Sequence, residues 1–257
     1  MGKHLPNSPL IEAIFEFRWL LHKDTSKNIE YDENYNFLIG LFYNGIRDVF
    51  PIRENLPSSQ MPAEMIPYVP QFRFSKKERT WPLVQLGPGI LTVNDTDSYA
   101  WDNNFEDLCC KAIKNIYKCY PDTNNLKLKG LTLRYINALK INNVNILEYM
   151  HNLLKLKINF PQSLFEGTEI LPMPNSLSTV FSFPISKPEG MVMYKFAKGK
   201  KDNNDALIWE ISIISKDEEK IDLPTDISIW LPDAHHIAEK SFFAFSEGEL
   251  YRSFENV

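Results

Sequence analysis

Residues 9–21 read PLIEAIFEFRWLL, and residues 128–141 read LKGLTLRYINALKI. In the first stretch Ile11, Ala13, Phe15, Phe17 and Trp19 recur at every second position, while Glu12, Glu16 and Arg18 stand between them. A period of two is the mark of a strand with one buried face. The second stretch repeats the pattern, with Leu131, Leu133, Tyr135 and Leu139 among its apolar positions.

The segments after the two strands are also alike. After the first, residues 33–50 carry Phe37, Leu38, Leu41, Phe42, Ile46, Val49 and Phe50 at helical spacing, closed by Pro51. Residues 51–70 hold Pro51, Pro57, Pro62, Pro67 and Pro70, and proline lacks the N–H that a helix or central strand needs, so a long loop is expected. Three strands are expected over 70–76, 81–86 and 89–95, the last two joined by a Gly87-Pro88-Gly89 turn. A helix over 102–119 comes next, with Asp102 as its N-cap. After the second strand come a helix over 146–157 and a loop spaced by Pro161, Pro172 and Pro174. Strands are expected over 177–185, 190–198 and 205–214, then a helical segment over 226–254 interrupted near Pro232. KGKKDNND and DEEK (217–220) read as exposed turns, and the basic run Lys198-Gly199-Lys200-Lys201 as a solvated hairpin tip.

Strand, helix, three strands, helix therefore occurs twice, over 9–120 and 128–254. The expectation is an α+β fold of two β-α-β-β-β-α halves, an internal structural duplication without residue identity, its antiparallel sheets covered by helices. The halves would divide at residues 1–124 and 125–257 and pack as one compact unit, edge to edge or face to face, with a cleft at the joint.

Composition narrows the function classes. Of 257 residues, 44% are apolar and 24% charged, which is an ordinary folded chain and not a disordered one. A net charge of -5 speaks against non-specific nucleic-acid binding, which needs a basic surface to displace counterions. No apolar run of about 18 residues is present, so no membrane-spanning helix is expected. The first residues are broken by Glu12, Glu16 and Arg18 and do not read as a secretory signal. Cys109, Cys110 and Cys119 fall in one helix, an odd count that suits a reducing compartment, and the cytoplasm is the expected location. Five histidines and three cysteines leave little for a metal site, and neither a metal nor a cofactor is expected.

No phosphate-binding glycine loop, GxSxG elbow or HExxH pair occurs. The polar group inside the second strand is more informative. At period two Arg134 and Ile136 share one face, and Tyr135 and Asn137 share the other. Arg134 either faces a ligand or bridges to Glu12, Glu16 or Glu210 on a neighbouring strand, because an unpaired buried guanidinium is costly. Gln85 and Asn94 flank the Gly-Pro-Gly turn, and Asn94 is assigned to stabilising it. His235 and His236 point about 100° apart on a helix and do not share one metal; one packs or caps, or serves as a ligand with Asp233 or Glu239. Tyr99 and Trp101 are expected to staple the entry of the 102–119 helix. The ligand-binding candidates are Arg134, Tyr135, Asn137, Gln85, His235 and His236. No catalytic residue is assigned, and the pairs Glu12 and Glu16 or Glu218 and Glu219 have no fixed separation in sequence.

Four blocks taken together resemble a family of sporadically distributed, uncharacterised bacterial proteins. They are Pro9-Leu10-Ile11-Glu12-Ala13-Ile14-Phe15-Glu16, then Val84 to Asn94 (VQLGPGILTVN) with Tyr99 and Trp101, then Leu133-Arg134-Tyr135-Ile136-Asn137, and a C-terminal stretch with His235 or His236 and Phe242 or Phe243. The resemblance covers nearly the whole chain. It implies a bacterial source but no activity, cofactor or catalytic residue, and the family's patchy occurrence is a pattern shown by mobile and defence-related genes.

Three readings of function are open. The first is a non-enzymatic ligand-binding or protein-interaction module whose proline-spaced 51–70 loop, with Ile52, Leu56, Met61, Met65, Ile66 and Tyr68, either covers the core or docks on a partner. The second is a hydrolase or transferase acting on a nucleotide-like small molecule in the inter-half cleft, with Arg134 holding an anion and His235 or His236 as acid or base. It requires those residues to converge. The third is a homodimeric scaffold. The partner is thus a protein or a small molecule, with neither membrane nor nucleic acid expected.

Overall fold

The computed structural model describes residues 5–96, 98–141, 144–216 and 220–255. The expected turn at 217–219, with Glu218 and Glu219, lies outside them. Among these residues the chain forms, in order, β1 (Leu10–Trp19), β2 (His22–Asp24), β3 (Ile29–Tyr31), α1 (Tyr35–Ile46), β4 (Ile52–Asn55), β5 (Phe72–Ser75), β6 (Leu83–Gly87), β7 (Ile90–Asp95) and α2 (Glu106–Cys119). Then come β8 (Leu128–Lys140), α3 (Ile146–Leu154), β9 (Ser178–Ser186), β10 (Glu189–Lys201), β11 (Asn204–Ser215), α4 (Ile227–Ser246) and α5 (Glu249–Glu255).

The two alternating stretches pair with each other. β1 and β8 run antiparallel at the middle of a nine-stranded sheet of order β4-β5-β6-β7-β1-β8-β11-β10-β9, and every pairing in it is antiparallel. Outward from β1 the sheet passes through β7, β6, β5 and β4; outward from β8 it passes through β11, β10 and β9. The joint between the halves is therefore continuous sheet. The cleft expected there is not formed, because hydrogen bonds between β1 and β8 close the edges that would have lined it.

The register explains which face is buried. One row across the sheet reads Phe74, Val84, Val93, Phe15, Leu133, Ile213, Val192 and Phe183. The adjacent row reads Ser75, Leu83, Asn94, Ile14, Arg134, Ser212, Met193 and Ser182. Side chains of neighbouring rows point to opposite faces, so the apolar row faces the helices and the mixed row faces away. Phe15 lies against Trp230 of α4, Phe17 against Tyr117 of α2, Phe74 against Phe42 of α1, and Trp209 stacks on Phe242 of α4. Phe15, Phe17, Trp19 and Trp209 are fully buried there, each contributing roughly 1.5–3 kcal/mol by removal from water.

Several elements differ from expectation. The short hairpin β2–β3 comes after β1, and β4 forms inside the proline-rich stretch because Ile52–Asn55 precedes the dense prolines and can pair with β5 as an edge. α2 begins at Glu106, not Asp102, because residues Trp101–Phe105 form a π-helical turn in front of it. Pro232 sits inside α4 without ending it; the break comes after Ser246, where Gly248 takes φ +100°. The β10–β11 tip is narrower than the polar run suggested: Asp202 and Asn203, both at positive φ, make it alone. At the β6–β7 turn Pro88 and Gly89 (φ +78°) occupy the central positions, as a type II turn requires. Cys109, Cys110 and Cys119 are free thiols along α2. Among the described residues no helix is long and apolar enough to cross a membrane.

Candidate functional site

Consecutive residues of β8 send their side chains to opposite faces, and each reaches a different polar cluster. On the helix face Tyr135 meets Tyr99, from the segment before α2, and His235 of α4. Tyr99 Oη donates to Tyr135 Oη at 3.0 Å, and Tyr135 Oη lies 2.9 Å from His235 Nδ1. The Tyr135 hydroxyl donates to Nδ1 when the imidazole proton is on Nε2 and accepts from Nδ1 in the other tautomer. Trp101 covers the imidazole in a parallel stack, 3.8 Å between centroids and 7° between planes. Burial pulls the His235 pKa down from 6.5 to about 4, outweighing the upward pull of Asp102, and His236 adds to the lowering. Burial likewise drives the Tyr99 and Tyr135 hydroxyls well above their ordinary range. The cluster is thus a hydrogen-bonded chain whose groups burial keeps uncharged, with Tyr135 and Trp101 buried and Tyr99 and His235 half-buried. Tyr99 and Trp101 do more than staple the helix entry, since Tyr99 bonds Tyr135 and Trp101 covers His235.

On the helix-free face, Arg134 pairs with Glu210 of β11. Its Nη2 donates to Oε2 at 2.9 Å, and Nε stands 2.8 Å from Oε1 without the alignment of a hydrogen bond. Ser212 Oγ donates to the same carboxylate at 3.2 Å. Of the three carboxylates offered by the sequence, Glu210 is the one used. Glu16 takes Arg18 instead at 2.7 Å, and Glu12 accepts from Asn94 Nδ2 at 2.8 Å. Thr92 Oγ1 donates to Asn94 Oδ1 at 2.7 Å, with Gln85 Oε1 farther off at 3.4 Å. Asn94 therefore ties β7 to β1 and does not stabilise the Gly-Pro-Gly turn. Thr92, Asn94, Glu210 and Ser212 each expose less than a tenth of their surface, although among the described residues no helix lies over them. Across the strip stand three carboxylates (Glu12, Glu16, Glu210) and two guanidiniums (Arg18, Arg134), and among the described residues Glu12 is met by a neutral amide and by no cation.

The six candidates therefore divide. Tyr135 and His235 are bonded to each other. Asn137 is buried on their face, where its Nδ2 donates to Trp209 O at 3.3 Å across the β8–β11 pairing. Arg134 and Gln85 share the opposite face but sit three strands apart, about 14 Å at normal strand spacing. His236 is exposed on α4. Arg134 and the histidines do not converge: the sheet lies between them, because adjacent strand residues cannot face the same side. That removes the geometry required of a transferase or hydrolase built on an Arg134 anion site and a histidine acid or base. Thr92 and Ser212 are the members of the polar strip that sequence reasoning left out; their alternation with apolar neighbours was the available signal.

Two surface hollows, of about 420 and 270 Å3, lie elsewhere. The larger is at the α4–α5 junction beside Gly248, and the smaller is beneath Trp230 between β10 and α4. None of the six candidates lines either one. Among the described residues no group of three or more His, Cys, Asp or Glu side chains is placed to hold a metal ion. In the 51–70 stretch Met61, Met65 and Val69 are exposed, so the segment covers the core only in part. No family model matches the chain, and no curated protein matches it significantly.

Proposed function

We propose that the protein is a non-enzymatic binding module that works through the helix-free face of its sheet, around the strip of Glu12, Asn94, Arg134 and Glu210. The observation that carries this reading is the burial of a polar, cross-bonded strip on a sheet face that no helix covers. A broad antiparallel face needs one apolar side for its core and leaves the other available to a ligand or partner. With Glu12 opposed by an amide and by no cation among the described residues, the strip suits a partner that brings N–H donors or positive charge. Arg134 and His235 are each engaged in structural bonds, which favours binding over catalysis.

The same reading takes the two halves, 1–124 and 125–257, as a duplicated β-α-β-β-β-α unit. The mirrored strand order on either side of β1–β8 supports it. It also takes the chain as a cytoplasmic member of the sporadically distributed bacterial family whose sequence blocks it resembles, with a role in a mobile or defence gene set. Three free thiols are consistent with that compartment.

Native mass spectrometry of protein purified gently from its own host tests the binding face. A near-stoichiometric bound species should be lost in Thr132→Trp, which fills the strip, and kept in Lys114→Trp, on the exposed side of α2. A protein that carries nothing, or a species indifferent to Thr132→Trp, overturns the reading.

A further inference from the structure

The geometry points to a second copy of this chain as the partner of β9, joined edge to edge so that two sheets become one. In the β9–β10 ladder the backbone N–H of Lys198 donates to Leu177 O at 2.9 Å, which makes 177 and 198 a bonded pair. The register then runs without a break from Ser178 opposite Ala197 to Ser186 opposite Glu189. Bonded and non-bonded pairs alternate in an antiparallel ladder. Residues 179, 181, 183 and 185 are therefore bonded to β10, while Ser178, Val180, Ser182 and Ser186 turn their N–H and C=O groups outward. Pro184 falls in the outward set, where its missing N–H costs the β10 ladder nothing.

The strand is unguarded. It contains no charged residue, and seven of its nine residues are exposed. Val180, Phe181 and Phe183 are 49%, 38% and 52% exposed. Edges of this length and character normally carry lysine, a bulge or a covering element, because their unpaired backbone is a template for another strand. On the helix face the contacts of α4 reach Tyr194 and Phe196 of β10 through Phe245. Phe181 and Phe183 meet those β10 rings and stay 38% and 52% exposed, so there is room for apolar groups beside them.

Neutrality favours a copy of itself over a foreign peptide. Nothing on the strand selects a charged partner, and no like charges meet when it pairs with itself about a two-fold axis. With Phe181 opposite Phe181 in a non-bonded pair, where side chains approach most closely, Val180 and Ser182 exchange backbone bonds and Ser178 donates to Pro184 O. That register gives about six interchain hydrogen bonds. The association does not depend on the polar strip, so it can fail without touching the binding-face reading, and the reverse also holds.

Two variants of the full-length chain test it. Val180→Pro removes an outward donor and leaves the β10 ladder intact, and Phe181→Cys places two thiols across the proposed axis. In sedimentation velocity the natural chain should be dimeric and Val180→Pro monomeric, with the same thermal melt for the monomer fold. Mild oxidation should link Phe181→Cys into a covalent dimer and leave Met61→Cys unlinked. Should Val180→Pro misfold, the Phe181→Cys cross-link still decides. A natural chain that stays monomeric at about 100 μM, where even a weak interface of Kd about 10 μM would be filled, overturns the inference. So does a dimer that Val180→Pro leaves intact and Phe181→Cys fails to link.

Discussion

Arg134 and Tyr135 are neighbours in the chain and strangers in the fold. Tyr135 lies among aromatic rings, where its hydroxyl is served by Tyr99 and His235, and Trp101 covers the His235 ring. Arg134 lies on a face without helices, where its guanidinium is held by Glu210 yet keeps about a third of its side chain in water. The helix face thus satisfies its polar groups by excluding solvent and neutralising them. The helix-free face satisfies its own with charged cross-strand pairs that stay within reach of solvent. The difference teaches that polar groups inside a strand are compatible with either role, and that the face, not the residue type, decides which role is open to them.

The contrast can be tested by its energies. The largest effect belongs to the helix face. Trp209→Ala, which removes a fully buried ring stacked on Phe242 at 2° between planes, should lower unfolding free energy by about 3–5 kcal/mol in urea titrations. A loss under about 1 kcal/mol would mean that this face is not the core that the packing implies.

Next comes acid sensitivity at His235. Folded His235 takes up its proton only near pH 4, whereas an unfolded imidazole does so near its ordinary 6.5. Between those values the unfolded chain binds more protons than the folded one, so stability rises with pH. The stabilisation from keeping the ring neutral is fully present above pH 6.5 and fades as pH falls toward 4, by roughly 3 kcal/mol at most. The stability gap between the natural chain and His235→Asn should therefore narrow from pH 7 to pH 4.5. A gap that holds constant would place His235 outside the hydrogen-bonded chain.

The smallest effect is on the helix-free face. Losing one partner of a fully buried ion pair costs about 3–5 kcal/mol, but water can reach Arg134, so Glu210→Gln should cost about 1–2 kcal/mol. A double-mutant cycle with Arg134→Met should recover most of that as coupling. If Glu210→Gln instead costs as much as Trp209→Ala, the two faces are equally sealed and the contrast falls.

Much of the fold was legible because long strands with a strict period of two leave little choice. β1 and β8 were readable from alternation alone, and α2 from Phe105, Cys109, Ala112, Ile113 and Ile116 at helical spacing. β2, β3 and β4 were not, since three or four residues are too few for a period to show, and β4 is surrounded by prolines. Pro232 misled because an interior proline removes one backbone hydrogen bond and can kink a helix without ending it where packing holds both sides, as it does for Leu231 and Ala234, whereas Gly248 supplied the real stop. The division of the candidate site was implicit in the sequence, which already put Arg134 and Tyr135 on opposite faces. What sequence could not supply was the partner of each. Glu210 and His235 lie 76 and 100 residues along the chain from the side chains that they bond, and only the register of the sheet selects them from the other carboxylates and histidines.

The seam between β1 and β8 also has a meaning in time. Its strands are separated by the whole of the first half, so during synthesis β1 is finished well before its second neighbour exists. At ordinary elongation rates that interval is on the order of ten seconds. Throughout it, the nascent first half presents β1 as an open edge backed by Phe15, Phe17 and Trp19. A chaperone, or the speed with which β8 arrives, then decides whether that edge meets its own chain or another ribosome's product.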